Sequence, residues 1–323
     1  MKTNPDKTQA ESARGNDVAG STGHSIEKTA EYIMENPVTG AVDYTAQCRK
    51  VIENLTIMDD TFMRNVLKEP KCAEHILRVI MESPELKTAE VTVQKDYKNL
   101  QGRSAVLDCV VEAGNGKQFN LEIQNENEGA SAKRARYHSG LLDMNTLKAG
   151  EDYSKLPKSY VIFITQGDPL GYKLPIYHIR RVIDEVNTGF NDDTYIIYVN
   201  GSNRDDTELG HLMHDLNCKN AVDMYSPILA SRVKELKETE GGVQHMCKEL
   251  EELIKSGEER GEMRGIAIGE QKKQKSIATK LLQMGISMEQ IAEVVEANVA
   301  TVSIWKEENL KMPDSEMKHI SSM

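Results

Sequence analysis

A chain of 323 residues is long enough for one well-packed domain with appendages or for two modest domains. Its 51 acidic and 40 basic residues give a formal net charge of −11, which excludes a protein that coats nucleic acid or membranes through bulk positive charge. Cys48, Cys72, Cys109, Cys218 and Cys247 are scattered, odd in number and without a C-x-x-C pair. Neither a disulfide framework nor a structural zinc site is expected, and a reducing cytoplasm fits this pattern best.

Residues 1–40 are polar, with almost no large apolar side chains, and are expected to be a disordered tail. The longest apolar run inside the chain, Tyr160 to Ile164, is far too short to span a bilayer, so no membrane partner is expected. Order is expected to begin with a helical pair. Leu55, Met58, Phe62, Val66 and Leu67 recur at helical spacing, and Ala73 to Met81 continues the pattern.

From Ala89 the period changes. AEVTVQKDY alternates apolar and polar residues, SAVLDCVVEA is rich in β-branched residues, and KQFNLEIQ alternates again after Gly114-Asn115-Gly116. This predicts a strand followed by a hairpin. A helix over roughly Ala130 to Lys148, with Tyr137, Leu141 and Met144 on one stripe, then leads to a buried strand, Tyr160 to Thr165. A further strand at Thr194 to Val199 and a helix near Thr207 to Leu216 extend the domain, 41–235, to the point where charge density rises.

Glycines at 257, 261, 265 and 269 punctuate a charged stretch, 236–275, read as a bendable helical spacer or a linker. Residues 276–310 read as a small helix-turn-helix-like unit. Ser276 to Met284 ends at Gly285, Ser287 caps the next helix with Gln290 at the capping-box position, and a third helix covers Ala300 to Glu308. Residues 311–323 are expected to be a flexible tail.

Candidate chemistry lies on the hairpin. In Asn120-Leu121-Glu122-Ile123-Gln124, Glu122 and Gln124 share one strand face while Phe119, Leu121 and Ile123 share the other. A three-residue Gly-Asn-Gly loop pairs Ala113 with Lys117 and, counting back, sets Asp108 opposite Glu122. A two-residue turn would send these carboxylates to opposite faces. If they face each other at about 5 Å, they repel by roughly 3 kcal/mol at an effective dielectric near 20, and a divalent cation turns that repulsion into coordination.

Two carboxylates that leave several waters in place suit Mg²⁺, with Mn²⁺ as the alternative. Such an ion lowers the pKa of a water and stabilises charge on a scissile phosphate. Lys133, Arg134, Arg136 and Tyr137 open the following helix, where cations can hold a DNA backbone, and Arg134 is expected to lean towards the sheet. The bland reading of Asp followed by Glu-x-Gln is a solvated strand face.

These residues resemble the PD-(D/E)XK nuclease-family transposases, or recombination-promoting nucleases. The resemblance covers roughly Leu55 to Leu216 and the C-terminal helices. It rests on LTIMDDTFMRNVL, VLDCVVEAGNGKQFNLEIQ, KRARYHSGLLDMNTLKAGEDYSKL and YVIFIT with Asp168-Pro169. It implies an α/β, restriction-endonuclease-like αβββαβ core, with a mixed central sheet flanked by helices and a helical C-terminal extension. It also implies a metal-dependent DNA endonuclease in which Asp108, Glu122 and the Ile123 backbone carbonyl ligate the metal and Gln124 takes the place of the motif lysine.

Gln124 brings no positive charge. Val106 and Ala113 also depart from the family pattern, where a basic and an acidic residue are common. These departures leave a second expectation, a nuclease-fold protein that binds DNA without cutting. Asp60 opens a helix and either caps it or reaches the metal. His211 and His214 lie one helical turn apart with no evident third ligand and read as a surface pair. The acidic Glu307 and Glu308 make the C-terminal unit a packing or homo-oligomer contact rather than a DNA reader, and Lys272, Lys273, Lys275 and Lys280 read as a solvated basic face.

Overall fold

A computed structural model describes residues 41–97, 105–124 and 127–310. The tails expected at 1–40 and 311–323 lie outside the described residues. The chain divides into two compact units, Met1–Glu252 and Leu253–Met323.

Among the described residues, three helices precede the first strand: α1 (Ala41–Asn54), α2 (Asp60–Leu67) and α3 (Pro70–Ile80). The expected pair corresponds to α2 and α3, and α1 is additional. Its Cys48, Val51 and Ile52 fall on one stripe and are buried, while Leu55 and Met58 fill the turn into α2. Pro70 occupies the first turn of α3, where a missing N–H costs no helical hydrogen bond.

Then come β1 (Thr88–Tyr97), β2 (Ala105–Ala113), β3 (Gln118–Gln124), α4 (Ala132–Thr146) and β4 (Ser159–Thr165), which complete the αβββαβ order. The edge strand β5 (Ile176–Ile179), a small hairpin of β6 (Val182–Ile183) and β7 (Thr188–Gly189), and β8 (Thr194–Asn200) follow. The six-stranded sheet has the order β1-β2-β3-β4-β8-β5, with β3, β4 and β8 parallel and the other pairings antiparallel. Helix α5 (Glu208–Leu216) begins at Thr207, whose hydroxyl accepts from Gly210 N, and α6 (Pro227–Glu238) follows.

The hairpin takes the three-residue loop. Ala113 N donates to Lys117 O (2.9 Å), and Cys109 pairs with Leu121, Val110 with Asn120 and Val111 with Phe119. Gly116 supplies the left-handed residue such a loop needs, at φ 81°. One sheet face, with Cys109, Val111, Phe119, Leu121, Ile123, Ile162 and Val199, packs on α1, α2, α3, α5 and α6. The opposite face carries Val110, Val161, Phe163 and Tyr198 under Ala135, Leu141 and Leu142 of α4.

Helix α7 (Glu240–Gln283) runs unbroken through all four glycines. Its Val243, Met246 and Leu250 belong to the first core, so the first unit continues to Glu252, past the boundary expected at residue 235. The rising charge there marks the exposed faces of α6 and α7, whose buried stripes are apolar. Cys48 and Cys247 form a disulfide with Cα atoms 5.8 Å apart and 199 residues of separation, contrary to the expectation from their scatter. The pairing is a tertiary contact between α1 and α7 that spacing along the chain does not encode.

Lys237 at the end of α6 is buried, donates to the carbonyls of Glu53 (3.1 Å), Leu55 and Lys219 (2.6 Å), and stands over the Phe62 ring at 5.1 Å. It thereby closes the carbonyl end of α1.

In the second unit, α7 ends before Gly285 (φ 77°), and Ser287 caps α8 (Met288–Val294) by accepting from Gln290 N (3.3 Å). Helix α9 (Val299–Leu310) completes a small core of Ala278, Ile291, Ala292, Val295, Val302 and Trp305. Lys275 pairs with Glu308 at 2.7 Å, so this member of the basic patch serves packing. Among the described residues, no helix is long and apolar enough to cross a membrane.

Two predictions follow from the turn and from the buried lysine. A side chain at Gly116 meets nothing within 4 Å but must hold a left-handed backbone, whereas Gly114 has no such requirement and only Lys87 O at 3.8 Å. Gly116→Ala is therefore expected to cost about 1 kcal/mol in urea unfolding, and Gly114→Ala distinctly less. Burial pushes the Lys237 ammonium down from 10.5 to about 8. Between these values the unfolded chain binds the extra proton, so stability rises with pH across that window. Lys237→Met should flatten that rise in melts recorded at successive pH values, and an unchanged slope refutes the assignment.

Candidate active site

Alternation along β3 sets Asn120, Glu122 and Gln124 on the face covered by α4, opposite Phe119, Leu121 and Ile123. This face is not solvated. Glu122 is fully buried, Gln124 is 2% exposed and Asp108 9% exposed. Ladder pairing between β2 and β3 ends at Cys109–Leu121, and beyond it a side chain replaces the missing strand bond, with Asp108 N donating to Glu122 Oε1 (3.3 Å). On the other side of β2, the pairing with β1 skips Gln94, which stands across from Asp108 in a left-handed conformation (φ 54°). Both ladders are thus interrupted at Asp108.

Glu122 is surrounded by donors. Its Oε1 accepts from Asn120 Nδ2 (3.0 Å) and lies 3.4 Å from His138 Nδ1, while Oε2 pairs with Arg134 Nη2 at 3.1 Å. Arg134 Nε lies 3.4 Å from His138 Nε2, and the opposite ring nitrogen, Nδ1, faces Glu122. Arg134 Nη1 donates to Gln124 Oε1 (3.3 Å) and Gly129 O (2.9 Å), and the guanidinium stands 5.9 Å from the Phe163 ring. Gln124 Nε2 donates in turn to Asp108 Oδ2 (3.3 Å).

The two carboxyl groups therefore differ. Burial raises the pKa of Glu122, but the hydrogen bond and charge of His138, the charge of Arg134 and the Asn120 amide together outweigh it and hold the group below the usual range. Asp108 lies well above its ordinary value because of burial first, then the charges of Glu122 and Asp60; Arg134 and Arg64 only partly offset these.

Asp60 thus lies close enough for its charge to act on Asp108, but it does not cap α2. Asp59 holds the N-cap position, and its carboxylate accepts from Thr56 N (2.7 Å) and Thr56 Oγ1 (3.0 Å). The Asp60 carboxylate instead pairs with Arg64, which lies one turn along and whose Nε donates at 3.1 Å. The Ile123 carbonyl looks towards β2, since Gln124 O accepts from Gln166 on the β4 side and strand carbonyls alternate. It therefore opens onto the place where β2 and β3 have parted.

Of the predicted basic residues, Arg134 turns inward, whereas Lys133, Arg136 and Tyr137 are exposed on the first turns of α4. The predicted stripe of Tyr137, Leu141 and Met144 is corrected. Ala135, His138, Ser139, Leu141 and Leu142 are buried, and Met144 is 59% exposed. The helix is rotated because Arg134 and His138 seek the Glu122 carboxylate, a polar attraction that apolar spacing does not record.

Asn120 and His138 were not singled out by sequence. Their signals are modest: Asn120 lies two residues before Glu122 on the same strand face, and His138 lies one helical turn after Arg134. His211 stacks on Tyr225 (ring centroids 3.9 Å), His214 meets the same ring edge-on (5.0 Å), and the two pair with Asp206 and Asp215. Among the described residues, no group of three or more His, Cys, Asp or Glu side chains stands ready to hold a metal ion.

Two carboxylates and a carbonyl make an open donor set rather than a closed cage. This suits a hard divalent cation that keeps water and takes substrate oxygens. The raised Asp108 is the observation that fits such an ion, because a buried carboxyl facing another is short of positive charge. With its folded pKa raised, Asp108 binds a proton in the folded state over a range where the unfolded chain has lost it, so its contribution to stability declines as pH rises through that range. Asp108→Asn is expected to melt at a higher temperature than the parent in EDTA near neutral pH, with the difference shrinking towards pH ~4. A lower melting temperature at neutral pH refutes the strained pair.

A family model described as PD-(D/E)XK nuclease family transposase matches residues 52–213. No curated protein and no solved structure matches the chain. The matched span begins in α1, ends in α5 and takes in the whole sheet and α4, including the parted end of the hairpin. By that match, over half of its length, the chain belongs to the PD-(D/E)XK nuclease family of transposases.

Proposed function

We propose that this protein is a divalent-metal-dependent DNA endonuclease of the recombination-promoting type, hydrolysing phosphodiester bonds at the parted end of β2 and β3. The observation that carries this reading is the buried, facing Asp108–Glu122 pair, with Asp108 pushed well up by burial and by the charges of Glu122 and Asp60. Asp108, Glu122 and the Ile123 carbonyl would hold Mg²⁺ or Mn²⁺. When bound, such an ion supplies Lewis acidity for a water and for the scissile phosphate.

The chain's own residues do the rest. His138, Asn120 and Arg134 keep Glu122 ionised and oriented. Gln124 ties Asp108 to Arg134 and moves no proton, since an amide is neither a base nor an acid in this range. Lys133, Arg136 and Tyr137 lie outward on the same helix and suit contacts to the DNA backbone, which position the strand without reading its sequence. Exposed Val294, Val299 and Ile304 in the second unit support self-association there.

The test is a supercoiled plasmid incubated with the purified protein. Nicking or linearisation is expected only with Mg²⁺ or Mn²⁺, and Asp108→Ala is expected to abolish it. A parent that never cuts, or a variant that cuts equally well, sinks the proposal.

A further inference from the structure

We propose that Arg134 is the resident cation of this site, a guanidinium delivered from α4 in place of the lysine that Gln124 displaces from β3. The proposal rests on the nuclease reading and assigns the source of the positive charge that reading requires. Gln124 is neutral and faces two groups of opposite need. Its Oε1 accepts from Arg134 Nη1 at 3.3 Å and its Nε2 donates to Asp108 Oδ2 at 3.3 Å. A lysine at this position accepts nothing from Arg134 and sets a second positive charge against it. Gln124 and Arg134 are therefore a matched pair, in which an amide on the strand and a cation on the helix replace a cation on the strand.

The guanidinium is held in place. Nε is used by His138 (3.4 Å), Nη1 by Gln124 and by Gly129 O (2.9 Å), and Nη2 by Glu122 Oε2 (3.1 Å). The second N–H of Nη2 has no acceptor among the described residues, which leaves a donor for an anionic oxygen of the substrate. Arg134 side-chain exposure is 26%, against zero for Glu122, so the group sits at the boundary between the buried carboxylates and solvent. This is a different role from that of Lys133 and Arg136, which are exposed on α4.

Relocating the charge tests the proposal. The parent, Gln124→Lys, Arg134→Met and the double variant are melted in EDTA and assayed on supercoiled plasmid with Mn²⁺. Each single change should lower the melting temperature, the first by crowding two cations and the second by removing the guanidinium that pairs with Glu122 Oε2. The double variant should melt above the sum of the two losses. Arg134→Met should cut about 100-fold more slowly than the parent, and adding Gln124→Lys should restore about tenfold of that loss.

Arg134→Lys keeps the charge without the fork and should cut faster than Arg134→Met, which guards against a methionine variant that fails to fold. Additive melting losses together with a double variant no faster than Arg134→Met overturn the proposal, as do equal losses in the lysine and methionine variants. If the parent leaves plasmid uncut while the melting losses are non-additive, the nuclease reading fails and the placement of the charge stands.

Discussion

Two carboxyl groups face each other out of water, and the surrounding structure is organised by how each is neutralised. Glu122 is fully buried and keeps its charge because His138, Arg134 and Asn120 converge on it. Asp108 has no comparable partner and is driven towards its neutral form. The asymmetry arises from position. Glu122 lies on a central strand directly beneath α4, whereas Asp108 lies on β2, where α4 supplies only a distant share of the Arg134 charge and Asp60 adds an opposing one.

Strand pairing yields at the same point. A regular antiparallel ladder would occupy the main-chain groups around Asp108 on both edges, yet the β2–β3 pairing stops at Cys109–Leu121 and the β1–β2 pairing steps over Gln94. Gln94 adopts a left-handed backbone, which costs a non-glycine residue about 1–2 kcal/mol. The sheet thus gives up regularity on either side of Asp108, while β3, β4 and β8 remain a fully paired parallel core. Local strain next to a rigid scaffold is the usual physical setting of a functional site.

Much of this was legible in the sequence. Gly114-Asn115-Gly116 determined the loop length and therefore the facing of Asp108 and Glu122, because a left-handed glycine closes a three-residue hairpin. Alternation in FNLEIQ separated the polar face from the apolar one, and the αβββαβ order emerged from changes of period. What stayed hidden depends on contacts between distant segments. The polar face looked like a candidate for solvent, yet α4 buries it, and the rotation of α4 follows Arg134 and His138 rather than Tyr137 and Met144. Asp60 looked like a cap because it opens a helix, but Asp59 precedes it at the cap position and Arg64 claims its carboxylate. Helix α1 buries the short stripe of Cys48, Val51 and Ile52, and its place is set by packing against distant segments and by the Cys48 link.

The link between Cys48 and Cys247 gives the first unit a particular topology. Its earliest described helix and its last one meet with Cα atoms 5.8 Å apart, so the chain enters and leaves the folded body at one place after a 199-residue excursion. A body with coincident entry and exit behaves as a cassette. It can be spliced into a surface loop of another protein, or carried on the end of one, without stretching either partner. For a family of nuclease-fold transposases, that architecture makes the folded module portable at the level of the fold as well as of the gene.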